Sequence, residues 1–474
     1  MKSYKIKILY FFSFLLWSIL LFSCREDNVA SPTLGNEDLQ IYLQASNNKN
    51  RNVINNPIPI LQEKFVTDKN DLFFAVATRE VSRDTHIIVT TETDSTVIGR
   101  YKKEYGKSLP ILPQGSYSLP ESITIPAGKS ISGNMLAITW KDPSAIKDKT
   151  ATYLLAISIK SMDNKDATLT SNRNTIFVEV RFNEVSYSLK IKTGKTSDDL
   201  TFNKAGSTVV IKGANPLLLA SVNSPINTDL STKINIDNSL ISTYNATNGT
   251  QFQILPENTY KLSTTSLSIP KNSITSNELE IQFTSAMSQL DISKQYLLPV
   301  KSTSETNVPT TNDVVYLKIS IVENNINSNT PLTGTIIDRN SWSVKANSEY
   351  NSEYTAPMML DGDYNTGWLA DFSGNATITL DMSQSYTLKG FSITPTYING
   401  NYALFPSKLV IYTSNDGINW TKQGVYENDE QNPEGNPQNP YLGWISFIEP
   451  VIARYIRFDE MEGYPGIGEL NAIQ

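Results

Sequence analysis

The chain has 474 residues, is 39% hydrophobic and carries a formal net charge of −7, with one histidine and one cysteine. A lone histidine excludes a His-Glu-x-x-His zinc site, a Ser-His-Asp triad and any cluster of imidazole ligands, and a lone cysteine excludes an internal disulfide, so each domain must rest on its own hydrophobic core. An acidic surface repels nucleic-acid phosphate and anionic lipid, so neither is a natural partner.

In chain order, Lys2, Lys5 and Lys7 precede an apolar run from Ile8 that ends in Leu20-Leu21-Phe22-Ser23-Cys24. A basic start, a short apolar segment and a small residue before a cleavage point predict a secretory signal over 1–23. The run is short of the about 20 apolar residues of a membrane span. Its end resembles the bacterial lipobox, whose cysteine is acylated and becomes the first residue of the mature protein. The resemblance implies a lipid anchor on Cys24, where several acyl chains hold stably and one alone is marginal. Arg25-Glu26-Asp27 is similar to the tract that sends Bacteroidetes lipoproteins to the outer face of the outer membrane, which makes residues 24–35 a tether. Loss of the signal removes three lysines and no acids, moving the net charge from −7 to −10.

Short alternating runs follow, among them Ile157-Ser158-Ile159-Lys160 and Ile176-Phe177-Val178-Glu179-Val180, broken by Pro, Gly and Asn. This is strand patterning with no long stretch of helical period, so the expected class is all-β. His86 lies in one such run, Thr85–Thr90, without a nearby nucleophile, and reads as structural.

An internal repeat appears at an offset of 143 residues. Val97-Ile98, Tyr101 and Gly106 recur as Leu240-Ile241, Tyr244 and Gly249; Leu112-Pro113 and Tyr117 recur as Leu255-Pro256 and Tyr260. Ile125-Pro126 returns as Ile269-Pro270 after a one-residue slip, and Tyr153-Leu154-Leu155 as Tyr296-Leu297-Leu298. Copies of this length exceed solenoid repeats and suit two tandem β-sandwich, Ig-like domains, placed at 36–183 and 184–324. The pair resembles an uncharacterised β-domain family, often tandem, at the start of Bacteroidetes surface lipoproteins. The copies share no histidine and no paired acids, which favours a stalk or platform. Asn-rich, Pro-terminated residues 325–331 read as a linker.

Residues 332–474 carry the sharpest motifs. Leu360-Asp361-Gly362-Asp363-Tyr364-Asn365-Thr366-Gly367-Trp368 is followed by Ala376–Asp381, by Leu409–Trp420, by Ala453-Arg454-Tyr455-Ile456-Arg457-Phe458 and by Gly468-Glu469-Leu470. In this order they resemble the discoidin, or coagulation-factor 5/8 type C, domain, whose bacterial members overlap with galactose-binding-like carbohydrate-binding modules. The resemblance implies a discoidin-like jelly-roll β-sandwich with ligand loops at one end.

The Asp361 segment offers several oxygens, as calcium requires. It is not an EF-hand, because Gly367 falls one place late and the twelfth position is Phe372. In discoidin-like domains the equivalent loop binds a structural calcium, and the resemblance implies Asp361, Asp363, Thr366 and Glu469 as its ligands. A metal-free Asx-turn at Asp361 is the alternative. A sugar site needs an aromatic face and a few amides. Trp342, Trp368 and Trp420 read as fold residues, which leaves loop candidates for glycan binding: Tyr397, Asn399, Asn401 and Tyr402 in one loop, Phe372 after the Asp361 segment, and Tyr464 before Glu469. These loops lack the basic residue and histidine common in galactose-binding relatives, which points away from galactose itself. The acidic stretch Glu427–Pro437 reads as a solvated excursion that disfavours anionic glycans nearby.

The expected protein is a non-catalytic glycan-binding lipoprotein, anchored in the outer membrane and exposed on the cell surface, that feeds glycan to transporters and hydrolases. Two other readings stand beside it: a protein-binding adhesin or assembly subunit, and a glycoside hydrolase or its accessory, since hydrolysis needs only two carboxylates.

Overall fold

The computed structural model describes residues 38–46, 52–61, 63–67, 69–305, 308–371, 375–398, 402–430 and 433–474. The signal segment, Cys24 and the Arg25–Asp27 tract lie outside the described residues. The class is all-β, with two short helices among the described residues: α1 (Ser95–Tyr105) and α2 (Leu240–Asn248).

Strand alternation folds the first copy into a two-sheet, Ig-like sandwich. One sheet runs Ala167–Leu169, Leu39–Ala45, Lys69–Ala77, Leu136–Trp140, Tyr117–Ser118; the other runs Lys64–Phe65, Val53–Leu61, Thr175–Glu184, Thr152–Met162, Thr85–Glu92, Ser122–Ile125. Ile41, Phe73, Ile138, Ile157 and Val178 are fully buried between them. The second copy repeats this order strand for strand, from Thr310–Asn312 beside Tyr187–Ile191 to Ser266–Ile269 beside Leu230–Ile236. In both, an early strand runs parallel to the last one: Val53 pairs with Phe177, and Ser197 with Tyr316.

The recurring motifs have physical causes. Tyr153 donates its hydroxyl to the Asp148 carbonyl at 2.9 Å, and Tyr296 repeats the contact with Asp291 at 3.4 Å. Each tyrosine thus ties the turn ahead of its own strand. Val97, Ile98 and Tyr101 form the face of α1 that covers Leu154, Ala156 and Phe177; Ile241 of α2 packs on Leu297. Gly106 and Gly249 end the two helices in left-handed conformations. These helices are too short for their apolar period to stand out in sequence. His86 bonds Thr124 through Nδ1 at 2.9 Å, within its own sheet.

Each copy also carries a hairpin that reaches toward the following domain. In the first, Leu61 and Val66 pack against the core of the second copy. In the second, the tip at Gly206 lies against Glu449 of the C-terminal domain, so close that a β-carbon there would sit 2.7 Å from Oε2. The two tips share a backbone state: Glu63 has φ 61° and Gly206 φ 52°.

The C-terminal domain is a discoidin-like jelly-roll sandwich. Its main sheet runs Ser343–Ala346, Ile378–Ile393, Gly443–Gly463, Pro406–Ser414, Thr421–Glu427, with Leu470–Ile473 also paired to Ile378–Ile393. The two long strands bend where their register shifts, between Asp381 and Tyr386 and between Leu388 and Gly390, and so serve both layers. Ile378, Phe391, Ile411, Ile456 and Phe458 are fully buried.

The expected linker is corrected by the structure. Ile326–Ser328 is a strand that pairs antiparallel with residues 445–447, and Ile326 is fully buried. Asn324 accepts the Val425 N–H at 2.9 Å and donates to its carbonyl at 3.2 Å; Asn325 treats Glu449 likewise, at 2.8 and 3.0 Å. An amide side chain offers both a donor and an acceptor, so each asparagine mimics a strand residue. From the second copy, Asn203 donates to the Ile326 carbonyl at 2.9 Å, and Lys212 pairs with Glu427. A fragment beginning at 324 should therefore melt cooperatively. One beginning at 332 should melt lower or aggregate through its uncovered edge, as thermal circular dichroism and size exclusion would report.

Candidate functional site

The Asp361 turn is held from within and from the far end of the chain. The Asp361 carboxylate accepts the Asp363 N–H and the Thr366 hydroxyl, both at 2.8 Å. Asp363 accepts both N–H groups of Asn365, at 2.9 and 2.7 Å, which holds its carboxyl below the usual range. Glu469, 1% exposed, accepts the Gly362 N–H at 2.9 Å and forms an ion pair with Arg339 through Oε2. That oxygen has ion-pair contact but no aligned hydrogen bond. Arg339 also donates to the Leu470 carbonyl at 2.8 Å.

Asp361, Thr366 and Glu469 thus come together, while the Asp363 carboxylate serves its own turn. The carboxyls of Asp361 and Glu469 meet beside a single guanidinium, which supplies the positive charge at this turn. Among the described residues no three acidic, histidine or cysteine side chains group as a metal cage. A calcium ion would therefore draw on hydroxyl and main-chain oxygens as well. Burial pushes the Glu469 carboxyl up to about 7 from an ordinary 4.5, against the opposing pull of Arg339.

The structure sorts the expected sugar-binding residues. Asn399, Asn401 and Phe372 lie outside the described residues. Tyr397 is corrected to a packing residue: it is 3% exposed, and its hydroxyl accepts the Tyr441 N–H at 3.0 Å. Its place in the hairpin Thr396–Ile398/Tyr402–Leu404 turns it inward, whereas Tyr402 is 51% exposed. Tyr464 is exposed in the turn before Gly466–Ile467.

These segments share one end of the sandwich. Trp368–Leu369 pairs with Gly466–Ile467, Ala370 N–H donates to the Pro465 carbonyl at 3.0 Å, and the Thr396 hydroxyl donates to the Trp368 carbonyl at 2.6 Å. A further segment, not expected from the sequence, joins them. Tyr350 N–H donates to the Leu369 carbonyl at 2.8 Å, and the exposed Tyr350 ring meets Tyr354 edge-on at 6.3 Å. Only the spacing of two tyrosines in a polar loop marks them in sequence. The acidic stretch folds back on the same end, where a β-carbon on Gly435 would lie 2.8 Å from the Tyr397 hydroxyl. Trp368 is core, with its indole N–H donating to the Ser348 carbonyl at 2.9 Å. Trp420 is instead partly exposed on the outer sheet face.

A carboxyl that holds its proton more tightly folded than unfolded stabilises the fold below the unfolded value and withdraws that stability as pH rises through the folded one. In metal-free buffer the melting temperature should fall between pH 4.5 and about 7. Glu469→Gln should flatten that slope, as calorimetry across pH would show.

Known proteins share parts of this architecture. The F5/8 type C domain family matches residues 343–470. A family described as an N-terminal domain matches twice, over 35–166 and 167–309. None of the curated proteins matches the chain. Among solved structures, a two-domain protein of unknown function from Bacteroides fragilis is 15% identical, covering 61% of this chain and 95% of its own, at a TM-score of 0.36. A family 32 carbohydrate-binding module from Clostridium perfringens, in complex with galactose, is 22% identical over 30% of this chain and 100% of its own, at 0.26. An F5/8 type C domain from Bacteroides fragilis is 24% identical over 30% and 98%, also at 0.26. The chain belongs to the family defined by that N-terminal domain, which it carries twice in tandem ahead of an F5/8 type C domain.

Proposed function

We propose that this protein is a non-catalytic, cell-surface glycan-binding lipoprotein. One observation carries the reading: Tyr350 with Tyr354, Tyr402, and Tyr464 lie on three segments tied together at one end of the discoidin-like sandwich. Exposed rings give a sugar's C–H face an apolar surface, and neighbouring amides such as Asn351 orient its hydroxyls. The F5/8 type C match over 343–470 supports the same reading. Calcium, held by Asp361, Thr366 and Glu469 with main-chain oxygens, would supply charge that pins the loop to the C-terminal strand. The tandem sandwiches hold the binding end away from a membrane anchor on Cys24, and captured polysaccharide or host glycan passes to partner transporters and hydrolases. Weak single sites suffice where a polymer engages many anchored copies.

A glycan array probed in calcium buffer with the chain from residue 25, which lacks the anchor cysteine, should give hits that share one terminal sugar. The double substitution Tyr402→Ala/Tyr464→Ala should weaken them by about tenfold or more, the equivalent of ~1.4 kcal/mol. A blank array with folded protein would sink the reading.

The anchor is tested separately. Mass spectrometry of the N-terminal peptide should show acyl chains on Cys24, and Cys24→Ala should move the protein from the membrane fraction to the soluble one. An unmodified peptide from the native host would remove the anchor from the proposal.

A further inference from the structure

The outer face of the C-terminal sheet carries a feature that belongs to none of the loops above. Across the strands, Lys345 pairs with Thr379, Thr379 with Arg457, Arg457 with Tyr412, and Tyr412 with Lys422. Directly paired residues stand on the same side of a sheet. These five side chains therefore form one straight row over five strands, about 19 Å long at the usual strand spacing of ~4.8 Å. Their chain neighbours Val344, Ile378, Leu380, Ile411, Ile456 and Phe458 face the core. At the centre of the row Arg457 lies between two rings, its guanidinium carbon 4.5 Å from the Tyr412 centroid and 4.8 Å from that of Trp420. Both rings remain partly exposed.

Charge on this row is incompletely balanced. In the next row Arg454 and Asp381 satisfy each other through hydrogen bonds of 2.8 and 2.9 Å. Arg457 has ion-pair contact with Oδ2 of Asp459 at 3.4 Å, while the other oxygen of that carboxylate accepts the Thr377 hydroxyl at 2.7 Å. The Nε of Arg457 has no hydrogen-bond partner. Lys345 and Lys422, both exposed at the ends of the row, have no side-chain partner among the described residues. In a chain of net charge −7, the two exposed lysines at the ends of the row, beyond the Arg457–Asp459 pair, leave it locally positive.

We propose that this row is a second binding surface, for an extended anionic polysaccharide. The rings take the C–H faces of successive sugars, and Lys345, Arg457 and Lys422 pair with carboxylate or sulfate groups along the chain. A straight, open row suits a polymer, which can cross it and continue, better than a small anion, which needs a walled site. Contact with two rings holds the guanidinium in place before ligand arrives, so little side-chain freedom is lost on binding.

Affinity electrophoresis of the chain from residue 25 in gels containing polygalacturonate, its methyl ester or dextran sulfate tests this surface. At least one polyanion should retard the protein, the methyl ester should not, and added salt should release it. Retardation by polygalacturonate alone assigns the recognised charge to carboxylate, and by dextran sulfate alone to sulfate. Trp420→Ala should weaken retardation by about tenfold, Lys345→Ala/Lys422→Ala should weaken it and reduce its salt dependence, and Tyr402→Ala/Tyr464→Ala should leave it unchanged. Should Trp420→Ala not fold, the double lysine variant tests the same surface, since both residues are exposed. The proposal falls if neither polyanion retards the protein, if the methyl ester does so equally, if the lysine variant behaves as wild type, or if the tyrosine variant loses retardation. Equal retardation by single-stranded oligothymidylate would also overturn it, in favour of a general polyanion surface.

Discussion

An open sheet edge invites pairing with whatever strand comes near, and the C-terminal sandwich has such an edge at Thr421–Glu427. The chain covers it with its own segment, Asn324 to Ser328, which lies between that strand and residues 445–447. Ile326 plugs the gap beneath, while Asn324 and Asn325 supply the hydrogen bonds of a ladder where the backbone no longer reaches. Because the same segment leaves the second sandwich directly, edge closure and domain attachment are one event. The ligand-binding end is thereby held in a set direction relative to the preceding domain, instead of swinging on a tether.

The C-terminal core and the binding end depend on a second tie. Glu469, immediately before the final strand, reaches back to Gly362 and Arg339 and brings the Asp361 turn against that strand. A buried carboxylate is costly to ionise without compensation. Arg339 and the Gly362 N–H provide that compensation. The loops bearing Tyr350, Tyr402 and Tyr464 hang on strands that pair with or abut this tie, so the shape of the binding end follows from its charge balance.

Much of this architecture is legible in the residues. Strand alternation, the tandem copies and the Asp361-to-Trp368 motif each depend on local pattern, and local pattern survives into the fold. The features that are not legible depend on partners distant in the chain. The asparagines of 324–329 look like loop residues because their ladder partners, Val425 and Glu449, lie about a hundred positions away. Tyr397 and Tyr402 look alike in sequence, yet the hairpin sends one inward and leaves the other in solvent. Trp420 reads as core by its motif, whereas its actual neighbour, Arg457, comes from another strand. Tyr350 and Tyr354 gain meaning only once Leu369 is placed beside them.

The two hairpin tips show how a duplicated unit diverges. Glu63 and Gly206 stand at the same point of the repeat and share the left-handed backbone that disfavours side chains. The first copy keeps a glutamate there, paired with Lys149 of its own domain, and accepts the conformational cost. The second copy meets the Glu449 carboxylate at that tip, which a β-carbon would displace. At this turn the left-handed backbone and the carboxylate of the adjoining domain both favour glycine. Shuffling the order of such modules would change which tip meets a neighbour's carboxylate, so this contact depends on a unit's place in the assembly.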